Sequence, residues 1–209
     1  MTAGKVLLLR HGQTDWNVAL RLQGQSDIDL NDVGRGQARA VASAIAALAP
    51  SAVIASDLSR ARETAELVTA GLELPLTLDA RLRERNFGLW EGLTGDEIEA
   101  GWPQEYATWR AGIHPNGIEA EDRGVVGERF AGGVEDAAAA LSSDDTLLVV
   151  AHGACIAAGI TTLIGLDADA WAGIRGIGNC RWSVLASSVR EPRWRLEGHN
   201  VAGCGFPGG

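Results

Sequence analysis

Apolar residues in this chain fall into short dense runs separated by stretches of helical period. Val6 to Leu9 is a continuous run of four, Ala52 to Ala55 and Thr146 to Val150 are further strand candidates, and Leu76 to Leu78 is a short one interrupted by Thr77. Runs of this length without polar alternation suit strands covered on both faces. After Asn31, a side chain able to cap a helix, Val33, Ala38, Val41, Ala42, Ile45 and Leu48 recur at helical spacing until Pro50 ends the pattern. Further helices are predicted from near Ser59 to about Gly71, from Gly127 to Leu141 and from Ala154 to Leu166. Trp182 to Ser187 and Arg193 to Leu196 flank SVREP and read as a terminal antiparallel hairpin. Between Arg81 and about Asp122 the helical signals are short, broken by prolines and glycines around Trp90, Trp102 and Trp109. This segment, about 81–126, reads as a lid-like excursion over one face of the sheet. Strands alternating with helices predict an α/β fold, a three-layer α/β/α sandwich whose mostly parallel sheet has an antiparallel edge. One domain over 1–209 is expected, with no internal repeat and a flexible Gly-rich tail at about 201–209.

Composition narrows the ligand. The 209 residues are 46% hydrophobic, enough for one substantial core. A net charge of −9 argues against nucleic acid or an anionic membrane as partner, because such surfaces need an excess of Lys and Arg on one face. An anionic ligand would have to be held by a local cluster of arginines. Cys155, Cys180 and Cys204 form no CxxC or Cys/His metal spacing, and a reducing cytoplasm is the expected compartment. Arg10 and His11 interrupt the N-terminal apolar run too early for a signal peptide. The window LLVVAHGACIAAGITTLIGL, 147–166, is long enough to cross a membrane, but His152-Gly153 divides it into a buried strand, a turn and a buried helix.

In open α/β sheets, ligands sit beyond the carboxyl ends of the strands. The first strand exits into Arg10-His11-Gly12, the second into the segment Ser56 to Arg60, and a later one into His152-Gly153. Two histidines and two arginines thus converge on one edge. A single His after a strand is ordinarily structural; two His-Gly pairs at strand exits are harder to account for that way. Zinc or iron would need carboxylate or cysteine at ligand spacing, and arginines crowd the place a cation would take, so no metal is expected. The forked donors of Arg10 and Arg60 suit an oxyanion with two negative charges, a phosphoryl group.

Four stretches in order, LLLRHGQTDWN, SDLSRARETA, RLRERNFGLWEGL and VVAHGA, together with RLQGQSDIDLNDVGRGQA, resemble the histidine phosphatase superfamily of phosphoglycerate-mutase-like proteins. The resemblance implies that His11 is the nucleophile, carrying the phosphoryl group as a phosphohistidine, with a backbone carbonyl fixing its tautomer. It implies that Arg10, Arg60 and His152 hold the phosphoryl oxygens, that Asn17 and the backbone around Gly12 add neutral donors, and that Glu84 is the general acid and base. Glu91, the rival acid, is read as structural, and salt bridges to the flanking Arg83 and Arg85 are the bland alternative for Glu84. Gln23 and Gly24 are candidate substrate contacts. Arg21, Arg62, Arg83 and Arg85 either extend a positive funnel or lie on solvated faces; His114 and His199 are read as surface residues. Cys155 and the tryptophans are assigned to packing, although Trp102 and Trp109 could line a pocket.

The superfamily divides between mutases and phosphatases. Mutases carry basic residues in a long insertion after the third motif; here the corresponding stretch is short and acidic, with Arg110 its only Lys or Arg. NFGLWEGL is also closer to the phosphatase pattern. The expectation is cofactor-independent hydrolysis of a small phosphorylated metabolite with a neutral or sugar-like remainder. A phosphoglycerate mutase and a non-catalytic phospholigand-binding module are the alternatives. RLQGQ, IGNCRWSVL and RWRLEGHN resemble the actinobacterial glucosyl-3-phosphoglycerate phosphatases of this superfamily, which implies a substrate of that type. HPNGIEAED departs from an expected Gly-Gly-Glu element, leaving open whether Glu119 or Glu121 shapes the pocket. A homodimer is implied by the resemblance alone.

Overall fold

The computed structural model describes residues 2–202. The first apolar run is β1 (Lys5–Arg10), near the centre of a six-stranded sheet, parallel to β4 (Thr146–Ala151) on one side and antiparallel to β5 (Trp182–Ser187) on the other. Beyond β4 lie β2 (Ala52–Ala55) and then β3 (Leu76–Leu78), both parallel; β6 (Trp194–Val201) closes the opposite edge against β5. The strand order is β3-β2-β4-β1-β5-β6.

Successive side chains of β1 point to opposite faces, and both faces are covered. Val6 and Leu8, with Leu147 and Val149 of β4, pack on α6 (Arg123–Ala139) and α7 (Gly153–Leu163) through Phe130, Val134, Ile156 and Ile160. Leu7 and Leu9, with Leu148 and Val150, pack on α2 (Asp32–Ala47) and α3 (Ser59–Thr69) through Ala38, Val41, Ile45, Ala65 and Val68. This is the expected three-layer sandwich. Each buried Leu or Val contributes about 1.5–3 kcal/mol over an exposed one, so charged groups are tolerated only where the strands leave the layer. That condition places Arg10, His11 and His152 at one rim.

Several boundaries differ from the sequence reading, and α7 stops at Leu163, short of the expected Leu166. α6 begins at Arg123, not Gly127, because its first turns pack on α7 closely enough that a Cβ on Gly127 would overlap the Thr162 side chain. β6 continues past Leu196 to Val201: backbone bonds to β5 hold it through a bulge although one face is polar. A four-residue helix, α1 (Asp15–Val18), follows the first strand exit. The excursion contains two 3-10 turns, Ala80–Leu82 and Gly88–Trp90, then α4 (Gly95–Gly101) and α5 (Pro103–Arg110). It has its own aromatic nucleus, in which Trp90 meets Trp109 edge-on with ring centroids 5.9 Å apart and packs against Phe87, Ile98 and Ile118. The apolar window at 147–166 is divided between β4 and α7, and among the described residues no helix is long and apolar enough to cross a membrane.

Candidate active site

Because β1, β2 and β4 are parallel, their carboxyl ends open on the same edge, and the pairing of Arg10 with Ala151 sets His11 beside His152. The two rings lie 5.2 Å apart, centroid to centroid. The loop after β1 is pressed on the start of α2: a Cβ on Gly34 would overlap backbone of Gln13. Gly12 N–H donates to Thr64 Oγ1 on α3 at 3.0 Å. Thr14 and Asn17 then form a reciprocal capping box that starts α1 and holds the loop's far end.

His11 is 2% exposed and its Nδ1 lies 2.6 Å from the Gly12 carbonyl oxygen. A carbonyl only accepts, so Nδ1 bears the proton and Nε2 keeps its lone pair on a ring that lines the central cavity. Burial, and then the charges of Arg10 and Arg60, hold the His11 pKa well below its ordinary 6.5. The imidazole is therefore neutral at neutral pH. The carbonyl contact expected for this histidine is present.

Arg60 is fully buried on the first turn of α3. Its Nη atoms donate to the carbonyls of Ser26 and Gly24, each at 2.8 Å, and its Nε donates to His152 Nδ1 at 3.2 Å. His152 is thereby fixed with its proton on Nε2, and that buried nitrogen has no partner in the protein. Burial, then Arg60, holds the His152 pKa well below 6.5. Its ring is fully buried and not itself part of the cavity wall, but it lies beside that of His11, which is. Arg10 donates one Nη to the Ile177 carbonyl at 2.7 Å, while its Nε is buried and unpartnered. Burial lowers the Arg10 and Arg60 pKa values and the Glu84 carboxylate opposes the shift; both guanidiniums remain cationic at neutral pH.

Glu84 faces these groups across the cavity. Its Oε1 accepts from the backbone N–H groups of Arg85 and Cys155, both at 2.8 Å, and its Oε2 accepts from Ala154 at 3.0 Å, so the carboxylate is seated on the N-terminal turn of α7. The flanking arginines do not pair with it. Arg83 pairs with Asp57, and Arg85 donates to the Glu121 carbonyl at 2.7 Å and to His114 Nδ1 at 3.1 Å. His114 is thus half-buried and engaged, and the nitrogen that accepts from Arg85 cannot also donate to Asp122. Glu91 is structural: it accepts from the backbone of Gln25, Ser26 and Phe87. Cys155 is fully buried, and its thiol pKa is pushed well up by burial and by Glu84.

The cavity enclosed by these side chains has a volume of about 550 Å³, and Arg10, His11, Asn17, Gln23, Arg60 and Glu84 all line it. Gln23 is buried there with Oε1 unpartnered, and Gly24 lines it too, its carbonyl spent on Arg60. Asn17 directs its oxygen inward to the loop. Neither Glu119 nor Glu121 reaches the cavity: Glu119 is exposed, whereas Glu121 pairs with Arg129, which in turn donates to the Glu84 carbonyl at 2.9 Å. Arg21 lines the mouth and pairs with Glu97, while Arg62 lies on a solvated face with Glu66. His199 is no free surface residue; it bridges Ser183 Oγ and the Arg175 carbonyl.

Sequence reasoning did not single out Asn179. Its Nδ2 reaches the carbonyls of His11 and Gly12 at 3.0 and 3.1 Å and Asn17 Oδ1 at 3.2 Å, clamping the first motif from the turn before β5. Trp16 and Phe87 also line the cavity. Nothing local distinguishes Asn179 from an ordinary turn residue, since its partners lie at the other end of the chain.

Two arginines, a neutral histidine and a carboxylate around one cavity on an α/β/α sheet, with a second neutral histidine buried beside the first, define a phosphoryl-handling site. The model of the histidine phosphatase superfamily (branch 1) matches residues 6–202, and the chain belongs to that superfamily, whose members act through a phosphohistidine. It is 37% identical to a glucosyl-3-phosphoglycerate phosphatase of Mycolicibacterium vanbaalenii over 97% of this chain and 96% of that protein, and 37% identical to its namesake from Mycobacterium tuberculosis with the same coverage. A solved structure of mycobacterial glucosyl-3-phosphoglycerate phosphatase with VO3 superposes with a TM-score of 0.86 at 37% identity, covering 95% of this chain and 99% of that one. A protein of Erwinia tasmaniensis named as a probable phosphoglycerate mutase is 34% identical over 96% of this chain and 92% of its own length.

Proposed function

We propose that this protein hydrolyses a small phosphomonoester without metal or cofactor, and that the substrate is of the glucosyl-3-phosphoglycerate type. The observation that carries the reading is that a His11 lone pair, set free by the Nδ1 contact to Gly12, shares one cavity with the guanidiniums of Arg10 and Arg60, while the unpartnered Nε2–H of His152 is buried beside the His11 ring. His11 Nε2 attacks phosphorus in line. The donors take up the charge on the non-bridging oxygens, and because they are already held by carbonyls and by one another, little reorganisation is needed as the charge moves. Glu84 enters this step as the carboxylic acid, gives its proton to the leaving alkoxide and is left as the carboxylate held by the α7 amides; it then takes a proton from the water that displaces His11 Nε2 from phosphorus. Asn17 and Gln23 offer amides to the phosphoryl group or to a hydroxyl of the remainder.

The acidic residues of the excursion leave room for that substrate. Asp96, Glu97, Glu99, Glu119 and Asp122 are exposed or lie at the surface, and none of them lines the cavity. The likeness to relatives named as glucosyl-3-phosphoglycerate phosphatases supports the substrate class.

Purified protein is assayed for phosphate release from p-nitrophenyl phosphate and glucosyl-3-phosphoglycerate with EDTA present. Turnover of both is expected, with kcat/KM higher for the second. Absence of hydrolysis at mildly acid to neutral pH would overturn the reading. Conversion of 3- to 2-phosphoglycerate that depends on 2,3-bisphosphoglycerate would replace it with a mutase.

A further inference from the structure

The tautomer of His11 rests on one carbonyl, and that carbonyl belongs to a glycine. Gly12 has no room for a side chain, since a Cβ there would overlap backbone of Gly34. A glycine also leaves the peptide that follows it free to turn over. Were the Gly12–Gln13 peptide reversed, the Gln13 N–H would face His11 Nδ1, which would then have to accept. The proton would move to Nε2, and the ring could no longer attack phosphorus.

Two side chains from distant elements oppose that reversal. On one side of the peptide, the Gln13 N–H donates to Oε1 of Gln37 on α2 at 2.9 Å. On the other, the Gly12 carbonyl that accepts from His11 also accepts from Asn179 Nδ2 at 3.1 Å, across 167 residues of sequence. The same Nδ2 reaches the His11 carbonyl at 3.0 Å and Asn17 Oδ1 at 3.2 Å. These partners fix which way the Asn179 amide points. The two carbonyls can only accept, and the Asn17 atom is an oxygen because the Thr14 N–H donates to it at 3.1 Å. Turning the Asn179 amide over would set an oxygen against three acceptors. The backbone beside it grips the same strand exit: the Cys180 N–H donates to the Arg10 carbonyl at 3.1 Å, and the Ile177 carbonyl accepts from the Arg10 guanidinium.

We propose that Asn179 is a positioning residue for the nucleophile: its amide holds the Gly12 carbonyl toward His11 Nδ1 and so keeps Nε2 unprotonated for attack. Asn179 does this without touching the reacting atoms. As Nε2 takes up phosphorus, positive charge develops on the ring and the Nδ1–H bond to Gly12 strengthens. A carbonyl already fixed in direction meets that demand without rearrangement.

The kinetic arm of the test rests on the phosphatase reading, and the spectroscopic arm does not. Nitrogen NMR of protein with isotope-labelled histidine, with the His11 signals assigned by their loss in His11→Ala, should show Nδ1 protonated and Nε2 bare in wild type. Asn179→Ala should show a mixture of the two tautomers. In a single turnover, labelling of His11 by a radioactive phosphomonoester should slow about tenfold in that variant, the order expected for losing one hydrogen bond. Affinity for inorganic phosphate, measured by calorimetry, should stay as in wild type, because Arg10 and Arg60 are untouched. Asn179→Asp has nearly the same size but puts a carboxylate where the amide donated. It should slow labelling more than Asn179→Ala at neutral pH and recover toward wild type in acid, where the carboxyl regains a proton to donate. An unchanged His11 tautomer in Asn179→Ala would overturn the inference; so would phosphate affinity falling as far as the labelling rate, the mark of a loop that has merely come loose. Should Asn179→Ala fail to fold, the tautomer in Asn179→Asp at neutral pH decides in the same way. Should wild type transfer no phosphoryl group, the phosphatase reading falls, and the tautomer measurement still decides the role of Asn179.

Discussion

Arg60 donates its Nε–H to Nδ1 of His152 at 3.2 Å, and this single bond decides which nitrogen of His152 carries a proton. Arginine has no acceptor, so Nδ1 must offer a lone pair and Nε2 must be the donor. Leaving a buried donor unmade costs about 1–3 kcal/mol, a cost relieved when an oxyanion arrives. His152→Ala should therefore lower kcat/KM for p-nitrophenyl phosphate by about 10²–10³-fold, the range for losing one preorganised donor. Inorganic phosphate should also raise Tm less in the variant than in wild type. Steady-state kinetics and thermal unfolding with and without phosphate check both.

His11→Ala should abolish turnover, and base-quenched wild-type protein should retain label from a radioactive substrate on His11. Because burial and two arginines hold the His11 pKa well below 6.5, the acid limb of kcat/KM should also fall well below pH 6.5. An acid limb at pH 6.5 or above would contradict the neutral imidazole.

Glu84→Gln keeps the size of the side chain and one acceptor for the α7 amides but cannot pass a proton. Alkyl phosphates, whose leaving groups need that proton, should slow by about 10²–10⁴-fold. p-Nitrophenyl phosphate, with a better leaving group, should slow far less. Equal losses on both would mean that Glu84 acts by position alone.

Stability should fall between about pH 7.5 and 5.5. Both histidines bind protons near pH 6.5 once unfolded, whereas in the folded chain burial and then neighbouring positive charge keep them neutral. The unfolded state therefore binds more protons as pH drops through about 6.5. The stability associated with the neutral rings is complete above that pH and declines toward their lower folded values. Urea midpoints at the two pH values measure it, and the slope should flatten in His11→Ala.

Gly34→Ala is a small change far from phosphate in chemistry but not in space. Its Cβ would overlap Gln13 backbone, so the first-motif loop must shift. A cost of about 1–3 kcal/mol is expected from overpacking, with kcat reduced although no ligand contact is removed. Chemical denaturation beside kinetics tests this.

The strands and their exits were legible because an uninterrupted apolar run ending in Arg-His or His-Gly fits a strand of a covered parallel sheet and little else. That logic reached Arg10, His11, Arg60 and His152. Their mutual arrangement was not legible. The seat of Glu84 on the first turn of α7 joins segments about 70 residues apart in sequence, and backbone N–H groups supply its partners, which no side-chain pattern records. Asn179 escaped notice for the same reason. The four residues of α1 are too few to show a period, and β6 ran longer than its apolar residues because its pairing is made by the main chain.

The sheet order also sets a schedule for assembly. β1 leaves the ribosome before the other five strands of the sheet, yet its two neighbours are β4 and β5, so it has no partner in the sheet until residues 146–151 have been made. β2 and β3 can pair much sooner, and β4 then joins them to β1 in one step of long sequence separation, the kind of contact that forms slowly. The nucleophile is thus synthesised well before the strand that seats it. A nascent chain shorter than β4 holds His11 but has no place to put it.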